Sequence, residues 1–343
     1  MSRIPIIGAG AWGTALAIVA GRKSSHQVRL WAYEREVRDS IGDRGENSLF
    51  LTGHRIPDSV SVTGDFAEAL SGAKIVVSAV PSQHCRRIVE QMAPHLTSEM
   101  FLISAAKGLE QATLLRMTEV IGQITANQYK VGALSGPTFA AEVARGDPTA
   151  ITIASEDDAL MTAVQRDFSD LAFRVYSNGD VVGVELGGAL KNIIAIAAGV
   201  CDGLGLGHNS VAALITRGLA EITRLASACG GRAETMSGLA GLGDLVLTCT
   251  GALSRNRSVG VELGRGRMLP EIVAGMHGMV AEGVFTTDAA VQLARAHKVE
   301  MPITQQIHAI LNEGKSPRHA IHELMTRSSK SEAHAGAGPQ SVS

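Results

Sequence analysis

Residues 4–21 read IPIIGAGAWGTALAIVAG and contain the pattern that decides the fold of the first half of the chain. A short apolar run, typical of a buried strand, ends at Gly8, Gly10 and Gly13, and an apolar stretch suited to a helix follows. In this context the G-x-G-x-x-G spacing makes a tight turn and a helix N-terminus that binds pyrophosphate. Glu34 follows Gly13 by 21 positions, as expected for the acidic residue that binds a cofactor ribose. The stretch therefore predicts a dinucleotide-binding domain.

A signal peptide is the other interpretation of this stretch, because residues 4–21 follow Arg3 and contain no charge. The glycines, placed between a strand pattern and a helix pattern, favour nucleotide binding. The choice between NAD and NADP stays open. Glu34 should repel a 2′-phosphate, whereas the adjacent Arg35 could pair with one or could be a solvated charge on a helix face.

The strand and helix patterns predict an α/β fold class, with an N-terminal Rossmann-like doubly wound sheet and an all-α C-terminal domain. We expect a dinucleotide-binding domain over residues 1–180, a helical substrate and catalytic domain over 181–327, and a disordered tail over 328–343. The predicted strands are 4–7, 27–31, 74–80, 100–105, 130–134 and 149–154. The predicted helices are 181–200, 209–229, 257–264, 286–296, 302–312 and 317–326.

Composition excludes several classes of function. The chain has 343 residues, a net charge of -2 and 3% aromatic residues, with no basic tract, so we expect no nucleic-acid partner. Beyond residues 4–21 we expect no stretch long and apolar enough to span a membrane, and hence no stable membrane insertion. The four cysteines form no CxxC pair and no cluster with histidine, which predicts no metal site and a reduced, cytoplasmic location.

Lys191 is the single charge in residues 186–199, LGGALKNIIAIAAG. A lysine in such a run usually lies along apolar surface and extends its ammonium to water. The alternative is a buried catalytic lysine that carries protons near neutral pH. The segment alone favours the first interpretation.

Two further segments follow predicted strands, at the edge where open α/β sheets bind ligands. Lys107 lies in SAAKGLE, and Gly136 and Thr138 lie in SGPTFAAEV. A surface charge and an ordinary glycine-proline turn are the alternatives. With Thr138 at a helix start, the second segment would also offer backbone donors to a ligand.

The helical half contributes Asp244 in a glycine-rich turn and the segment Ser254-Arg255-Asn256-Arg257. Asp244 either caps a helix or holds a lysine by charge-assisted hydrogen bonds. Arg255, beside hydroxyl and amide donors, could hold a phosphate, although a serine-initiated helix with solvated arginines is equally consistent with these four residues.

Taken in order, the segments GAGAWGTALA, SAAKGL, LSGPTFAAEVARGDPTA, GALKNIIAIAAGV, GLGDLVLTCT, SRNR and AEGVFT resemble the bacterial NAD(P)-dependent glycerol-3-phosphate dehydrogenases. The resemblance implies reduction of dihydroxyacetone phosphate to sn-glycerol 3-phosphate with NAD or NADP, in a homodimer that supplies phospholipid synthesis. It implies that Lys191 is the general acid and base, that Lys107 also acts at the substrate and that Asp244 orients Lys191. It further implies a substrate site of Lys107, Gly136, Thr138, Lys191, Asn192, Asp244, Thr248, Ser254, Arg255 and Asn256.

The resemblance also implies cofactor-binding positions beyond Gly8, Gly10 and Gly13. These positions are Ala11, Trp12, Tyr33, Glu34, Arg35, Lys107, Ala140, Arg255, Val280 and Glu282. The sequence departs from the family at Tyr33-Glu34, where many bacterial members carry basic residues, and this puts NADP preference in doubt. Gly251 and Ala281 replace a common serine and a common valine.

Two other functions are consistent with parts of this pattern. A β-hydroxyacid or ketopantoate-type dehydrogenase would share the two domains and a lysine acid. Its substrates end in a carboxylate, whereas Ser254-Arg255-Asn256 and Lys107 favour a phosphate. A non-catalytic nicotinamide-binding sensor would need only Gly8, Gly10 and Gly13.

Overall fold

The computed structural model describes residues 2–276, 281–329 and 331. The chain divides into two units. Met1–Lys107 and Arg116–Val181 form the first, and Gly108–Leu115 and Val182–Ser343 form the second. Val280 and most of the predicted tail, 328–343, lie outside the described residues.

The first unit is built on an eight-stranded sheet in the order β10-β9-β8-β7-β6-β1-β2-β5. All neighbours are parallel except β8 and β9, which are antiparallel, so β9 and β10 run against the other six strands. The strands are β1 Ser2–Ile7, β2 His26–Trp31, β5 Val60–Thr63, β6 Ile75–Ser78, β7 Phe101–Ser104, β8 Lys130–Ser135, β9 Thr149–Ser155 and β10 Phe173–Asn178.

Seven α-helices accompany this sheet in the described part of the first unit. Apolar residues of β1, β2 and β6, such as Ile6, Leu30 and Val77, are fully buried with Leu16 and other residues of the first helix. The helices are α1 Ala11–Gly21, α2 Arg35–Arg44, α3 Phe66–Leu70, α4 Cys85–Met92, α5 Met117–Ile124, α6 Ala140–Arg145 and α7 Asp158–Phe168. Between α2 and β5 a small antiparallel hairpin forms from β3 Glu46–Asn47 and β4 Leu51–Arg55.

The second unit is helical in its described part. Its helices are α8 Val181–Gly203, α9 His208–Ala228, α10 Asp244–Thr250, α11 Arg255–Gly264, α12 Leu269–Ala274, α13 Glu282–Ala296, α14 Pro302–Asn312 and α15 Pro317–Met325. A 3₁₀ turn at Ala233–Ser237 and a π-helical turn at Leu239–Gly243 precede α10.

Helix α8 is the core of this unit, with Gly183 through Cys201 buried. It also corrects the expectation that no stretch beyond residues 4–21 could span a membrane. Helix α8 has 23 residues, and its most apolar window of 18 residues has a mean hydropathy of 1.6, so its length and composition would allow it to cross one. Within the protein, 89% of its most apolar window is buried against neighbouring residues, as in the core helix of a globular domain.

The predicted fold class is confirmed, and each of the twelve predicted elements corresponds to an observed one, with ends that differ by at most four residues. The pattern missed β5, β10 and the β3–β4 hairpin, and it missed α10 and α12. Strand β10, FRVYSN, alternates buried and exposed residues because it lies at the sheet edge, so it lacks the continuous apolar run of the inner strands.

Candidate active site

The glycine-rich loop joins β1 to α1, as the sequence predicts. At Gly8 the φ angle is +108°, which favours glycine, and a Cβ at Gly13 would lie 1.8 Å from the Gly8 carbonyl oxygen. No described atom lies within 4 Å of the position that a Cβ would take at Gly10. Two of the glycines are therefore required by close packing, and Gly10 opens the loop on its outer side.

A buried asparagine that sequence reasoning missed supports this loop. Asn47, at the end of β3, is fully buried and donates from Nδ2 to the Ala9 carbonyl oxygen and to Thr14 Oγ1, both at 2.8 Å. Its Oδ1 accepts a hydrogen bond from the Phe50 amide. The hairpin is thereby fastened to the loop, although no motif or periodicity in the sequence marks Asn47.

The N-terminus of α1 has features that fit a dinucleotide. Gly10 is the N-cap residue and supplies no side-chain cap, so backbone N–H groups of the first turn are available to an anion. Trp12 Nε1 is buried and has no hydrogen-bond partner among the described residues. Ala11, Trp12 and Ala140 pack against the core of the first unit at their partly buried sides.

The residues expected near the ribose follow β2. Tyr33 is exposed, and Glu34 is the N-cap residue of α2 but makes no side-chain cap bond. Arg35 Nε lies 3.5 Å from Asp39 Oδ2, and both side chains are largely exposed.

Lys107, Gly136 and Thr138 come together at the carboxyl edge of the sheet in the first unit. Lys107 Nζ donates to the Gly136 carbonyl oxygen at 2.7 Å and to Thr138 Oγ1 at 3.2 Å. One expectation is wrong here, since Thr138 does not start a helix. Helix α6 begins at Ala140 with Phe139 as its N-cap, and the Thr138 hydroxyl bonds instead to Lys107 and to Gly136.

Lys191 lies in the interior of the second unit. Its Nζ donates to Asp244 Oδ1 at 2.6 Å and to Thr248 Oγ1 at 2.7 Å, and its side chain is only 7% exposed. The interpretation of Lys191 as a lysine that extends to water is therefore wrong. The adjacent carboxylate stabilises the ammonium form inside an otherwise apolar helix core.

Glycines determine where Asp244 lies. A Cβ at Gly187 would lie 2.6 Å from the Ala240 carbonyl oxygen, so the π-helical turn packs directly on the backbone of α8 one turn before Lys191. A Cβ at Gly241 would lie 2.2 Å from the Met236 carbonyl oxygen. This turn ends at Gly243, and Asp244 begins α10 with its side chain directed to Lys191.

A second polar cluster connects α8, α11 and α13. Asn256 Nδ2 donates to Asn192 Oδ1 at 3.0 Å, and Asn256 Oδ1 accepts the Gly283 amide at 2.9 Å. Asn192 follows Lys191 in α8, so the cluster is attached to the same turn of that helix. Its buried asparagines fix the start of α13, where Glu282 lies.

The segment expected to hold a phosphate forms the start of α11. Ser254 is the N-cap residue, and its hydroxyl accepts the Arg257 amide at 3.2 Å. Arg255, the first residue of the helix, is exposed, although desolvation by neighbouring atoms lowers the pKa of its guanidinium, an effect that Glu282 opposes. A ten-residue helix with an arginine in its first turn is well suited to binding an anion.

Two clefts in the first unit lie apart from the predicted site residues. They have volumes of about 330 and 440 Å³ and are lined by residues such as Arg22, Asp170, Arg44 and Pro57, and by none of the predicted site residues. Within the described part of the chain, no group of three His, Cys, Asp or Glu residues is arranged to hold a metal ion.

Comparison with known proteins gives a consistent result. Residues 3–161 match the family described as the N-terminus of NAD-dependent glycerol-3-phosphate dehydrogenase, and residues 180–322 match its C-terminus. The chain is 66% identical over 334 residues to a glycerol-3-phosphate dehydrogenase of Koribacter versatilis and 55% identical over 338 residues to one of Acidobacterium capsulatum, both named as NAD(P)+ enzymes. These alignments cover 97% of this chain and 99% and 100% of the relatives.

Solved structures agree. The crystal structure of glycerol-3-phosphate dehydrogenase from Coxiella burnetii superposes with a TM-score of 0.91 at 41% identity, covering 95% of this chain and 99% of that one. A ketopantoate reductase from Ralstonia eutropha reaches a TM-score of 0.59 at 17% identity, which is a similarity of fold alone. The comparisons therefore favour the resemblance drawn from the motifs over the ketopantoate-type alternative.

Proposed function

Because the chain belongs to the family of NAD-dependent glycerol-3-phosphate dehydrogenases, we propose that it reduces dihydroxyacetone phosphate to sn-glycerol 3-phosphate, and catalyses the reverse oxidation, with NAD or NADP as cofactor. It is an oxidoreductase that acts on a CH–OH group. When bound, the nicotinamide supplies or accepts the hydride, and the polypeptide supplies binding, orientation and the proton.

The observation that carries this proposal is the buried ammonium of Lys191, held by Asp244 and Thr248 at 2.6 and 2.7 Å. Reduction of a carbonyl builds negative charge on its oxygen, and a fixed cation stabilises that charge. Lys191 donates its proton to this oxygen during reduction and takes it back from the alcohol during oxidation. Asp244 keeps the lysine in place and charged.

The first unit holds the cofactor in this proposal. Backbone N–H groups at the start of α1, around Ala11 and Trp12, bind the pyrophosphate, and Glu34 binds a ribose. The uncapped helix start, the open position at Gly10 and the buried Trp12 Nε1 support this assignment. Ala140, Arg255 and Glu282 remain predicted cofactor contacts, and Val280 lies outside the described residues.

The phosphate end of the substrate is assigned to the start of α11. Arg255 provides a cation, and the backbone amides of the first helical turn add partial positive charge. Asn256 and Asn192 contribute by tying the start of α11 to α8, since their amides bond to each other. Lys107, Gly136 and Thr138 are predicted substrate contacts, and their mutual hydrogen bonds support a preformed group.

The family resemblance supports the assembly and the metabolic role, and the cysteine pattern supports the location. We propose a homodimer in the cytoplasm that supplies phospholipid synthesis. Burial raises the pKa of the Cys201 and Cys249 thiols to about 11 and about 12, which keeps them protonated and unreactive. Light scattering of the purified protein measures the oligomeric state directly.

The test is a spectrophotometric assay of the purified protein with NADH, and separately NADPH, on addition of dihydroxyacetone phosphate. We expect rapid loss of cofactor absorbance that ketopantoate and β-ketoacids do not produce. Lys191→Ala and Lys191→Met should lower turnover by about 10²–10⁴-fold while cofactor binding is retained. Near-normal turnover in these variants would remove Lys191 from the mechanism, and cofactor binding with no oxidation in the wild type would favour the sensor function.

A further inference from the structure

The carboxyl end of β2 and the start of α2 carry a dense set of charges. The segment YEREVRD, residues 33–39, holds three acidic and two basic side chains. Glu34 occupies the N-cap position, 21 residues beyond Gly13, where a dinucleotide-binding domain places the residue that meets the adenosine ribose. What these charges do decides whether a 2′-hydroxyl or a 2′-phosphate is accepted.

Both arginines of the segment are occupied by other partners. Arg38 Nη1 donates to the carbonyl oxygens of Ala32 and Tyr33 at 2.7 and 2.8 Å, so its guanidinium is folded back onto the end of β2. Arg35 forms an ion pair with Asp39 one helical turn later, at 3.5 Å. A 2′-phosphate would have to displace one of these interactions to gain a cation.

One more cation lies near this segment. The Arg87 guanidinium carbon, on α4, is 5.8 Å from the centroid of the Tyr33 ring, close enough for a cation–π interaction. Arg87 is exposed. The guanidinium therefore packs over the Tyr33 ring and stays in contact with solvent. It is not held in the orientation that would give a phosphate two parallel hydrogen bonds.

We propose that this site selects NAD(H) against NADP(H) and that Glu34 is the residue that determines the selection. This inference rests on the proposed function, since it concerns the cofactor of that same reaction. The Glu34 carboxylate accepts a hydrogen bond from a ribose 2′-hydroxyl, and it repels the two charges of a 2′-phosphate. Of the two arginines that could offset this repulsion, Arg38 is held by backbone carbonyls, and the exposed ion pair with Asp39 offsets part of the charge of Arg35.

The test is equilibrium binding of NADH and NADPH, followed by cofactor fluorescence in the absence of substrate. We expect the wild type to bind NADH roughly ten-fold or more tightly than NADPH, a ratio that one unfavourable charge contact can produce. Glu34→Gln should bring the two dissociation constants close together. Glu36→Gln is the matched control, because Glu36 is an exposed carboxylate in the same helical turn, and it should leave the ratio unchanged.

Wild-type protein that binds NADPH as tightly as NADH, or more tightly, overturns the inference. In that case Arg87→Ala shows whether Arg87 is the phosphate ligand, by weakening NADPH alone. A Glu34→Gln variant that keeps the full wild-type ratio also overturns the role of Glu34. Selective NADH binding without reduction of dihydroxyacetone phosphate would leave this inference standing and defeat the proposed function, whereas failure to bind either cofactor defeats both.

Discussion

Lys191 Nζ and Asp244 Oδ1 lie 2.6 Å apart, although 53 residues separate the two in the chain. Both side chains are nearly inaccessible to solvent, and the pair joins α8 to the first residue of α10. In such a pair each charge is tolerated only because the other is present. The buried ammonium and its counter-ion therefore depend on each other for stability.

Asp244→Asn should consequently lower both stability and activity. The buried ammonium loses its counter-ion, so we expect the free energy of unfolding to fall by about 3–5 kcal/mol. Because the lysine is no longer held, kcat should fall by about 10²-fold, with the Kd for NADH unchanged. Chemical denaturation, steady-state kinetics and cofactor titration measure these three quantities. Adding Lys191→Met to this variant should restore stability and leave it inactive, and full kcat in Asp244→Asn would contradict the assignment.

Thr248→Val should have a smaller effect with the same signature. The change removes the hydroxyl that accepts the Lys191 bond at 2.7 Å but keeps the side-chain shape. We expect a loss of about 1 kcal/mol in stability and roughly a ten-fold drop in kcat. Thr250→Val provides the control. The Thr250 hydroxyl donates to the Val246 carbonyl oxygen, as the Thr248 hydroxyl donates to that of Asp244, but Thr250 is exposed. Equal kinetic effects of the two variants would argue against a role for Thr248.

Asn47→Ala should weaken cofactor binding. The Nδ2 group ties the glycine-rich loop to the hairpin through Ala9 and Thr14. Without it we expect the Kd for NADH to rise roughly ten-fold, which corresponds to the loss of one or two buried hydrogen bonds, while kcat at saturating NADH stays near normal. Ser40→Ala removes a part-buried bond to the Glu46 carbonyl oxygen in the same hairpin region without touching the loop. If both variants shift Kd equally, Asn47 has only a structural role.

The stability of the second unit should depend on pH through Glu221. Its carboxylate accepts the amides of Ile303 and Thr304 at the start of α14, and burial raises its pKa from 4.5 to about 7. The folded state thus binds a proton more tightly than the unfolded state between these two values. The contribution is fully present below pH 4.5 and is lost as pH rises through 7, by up to about 3 kcal/mol.

Glu221→Gln resembles the neutral carboxyl group and should remove this slope. We expect the free energy of unfolding to fall with pH in the wild type and to change less in the variant. Denaturant unfolding from pH 5 to 8 measures it, a range that ends roughly one pH unit above the folded-state pKa of Glu221. Parallel curves for the two proteins would show that Glu221 does not titrate in this range.

Local patterns allowed much of the fold to be predicted. The turn at Gly8, Gly10 and Gly13 and the acidic Glu34 were identified because chain spacing alone determines where they lie along a strand, turn and helix. Helix α14 is confirmed at both ends, since Pro302 and a periodic row of isoleucines mark it. The reversed direction of β9 and β10 could not be predicted, because an apolar run shows that a strand exists and not which way it points.

The candidate site shows the same limit. Residue types and family resemblance identified Lys191, Asp244 and Thr248, but the contact among them depends on Gly187 and the π-helical turn, whose effect is tertiary. Asn47 carries no local signal, since its partners lie 33 and 38 residues earlier. The segment Gly108–Leu115 belongs to the second unit, although in the chain it comes between β7 and β8 of the first unit.

Helix α8 meets its neighbours backbone to backbone, since Cβ atoms at Gly199 and Gly203 would lie 2.0 and 2.2 Å from carbonyl oxygens of α11. A helix held in this way has little room for partial opening, so its amide hydrogens should exchange with solvent only when the whole unit unfolds. The Lys191 site and the hydrophobic core of the second unit are then lost in a single unfolding event. Damage or mutation in that core should produce a mixture of fully active and fully inactive molecules rather than a uniformly impaired enzyme.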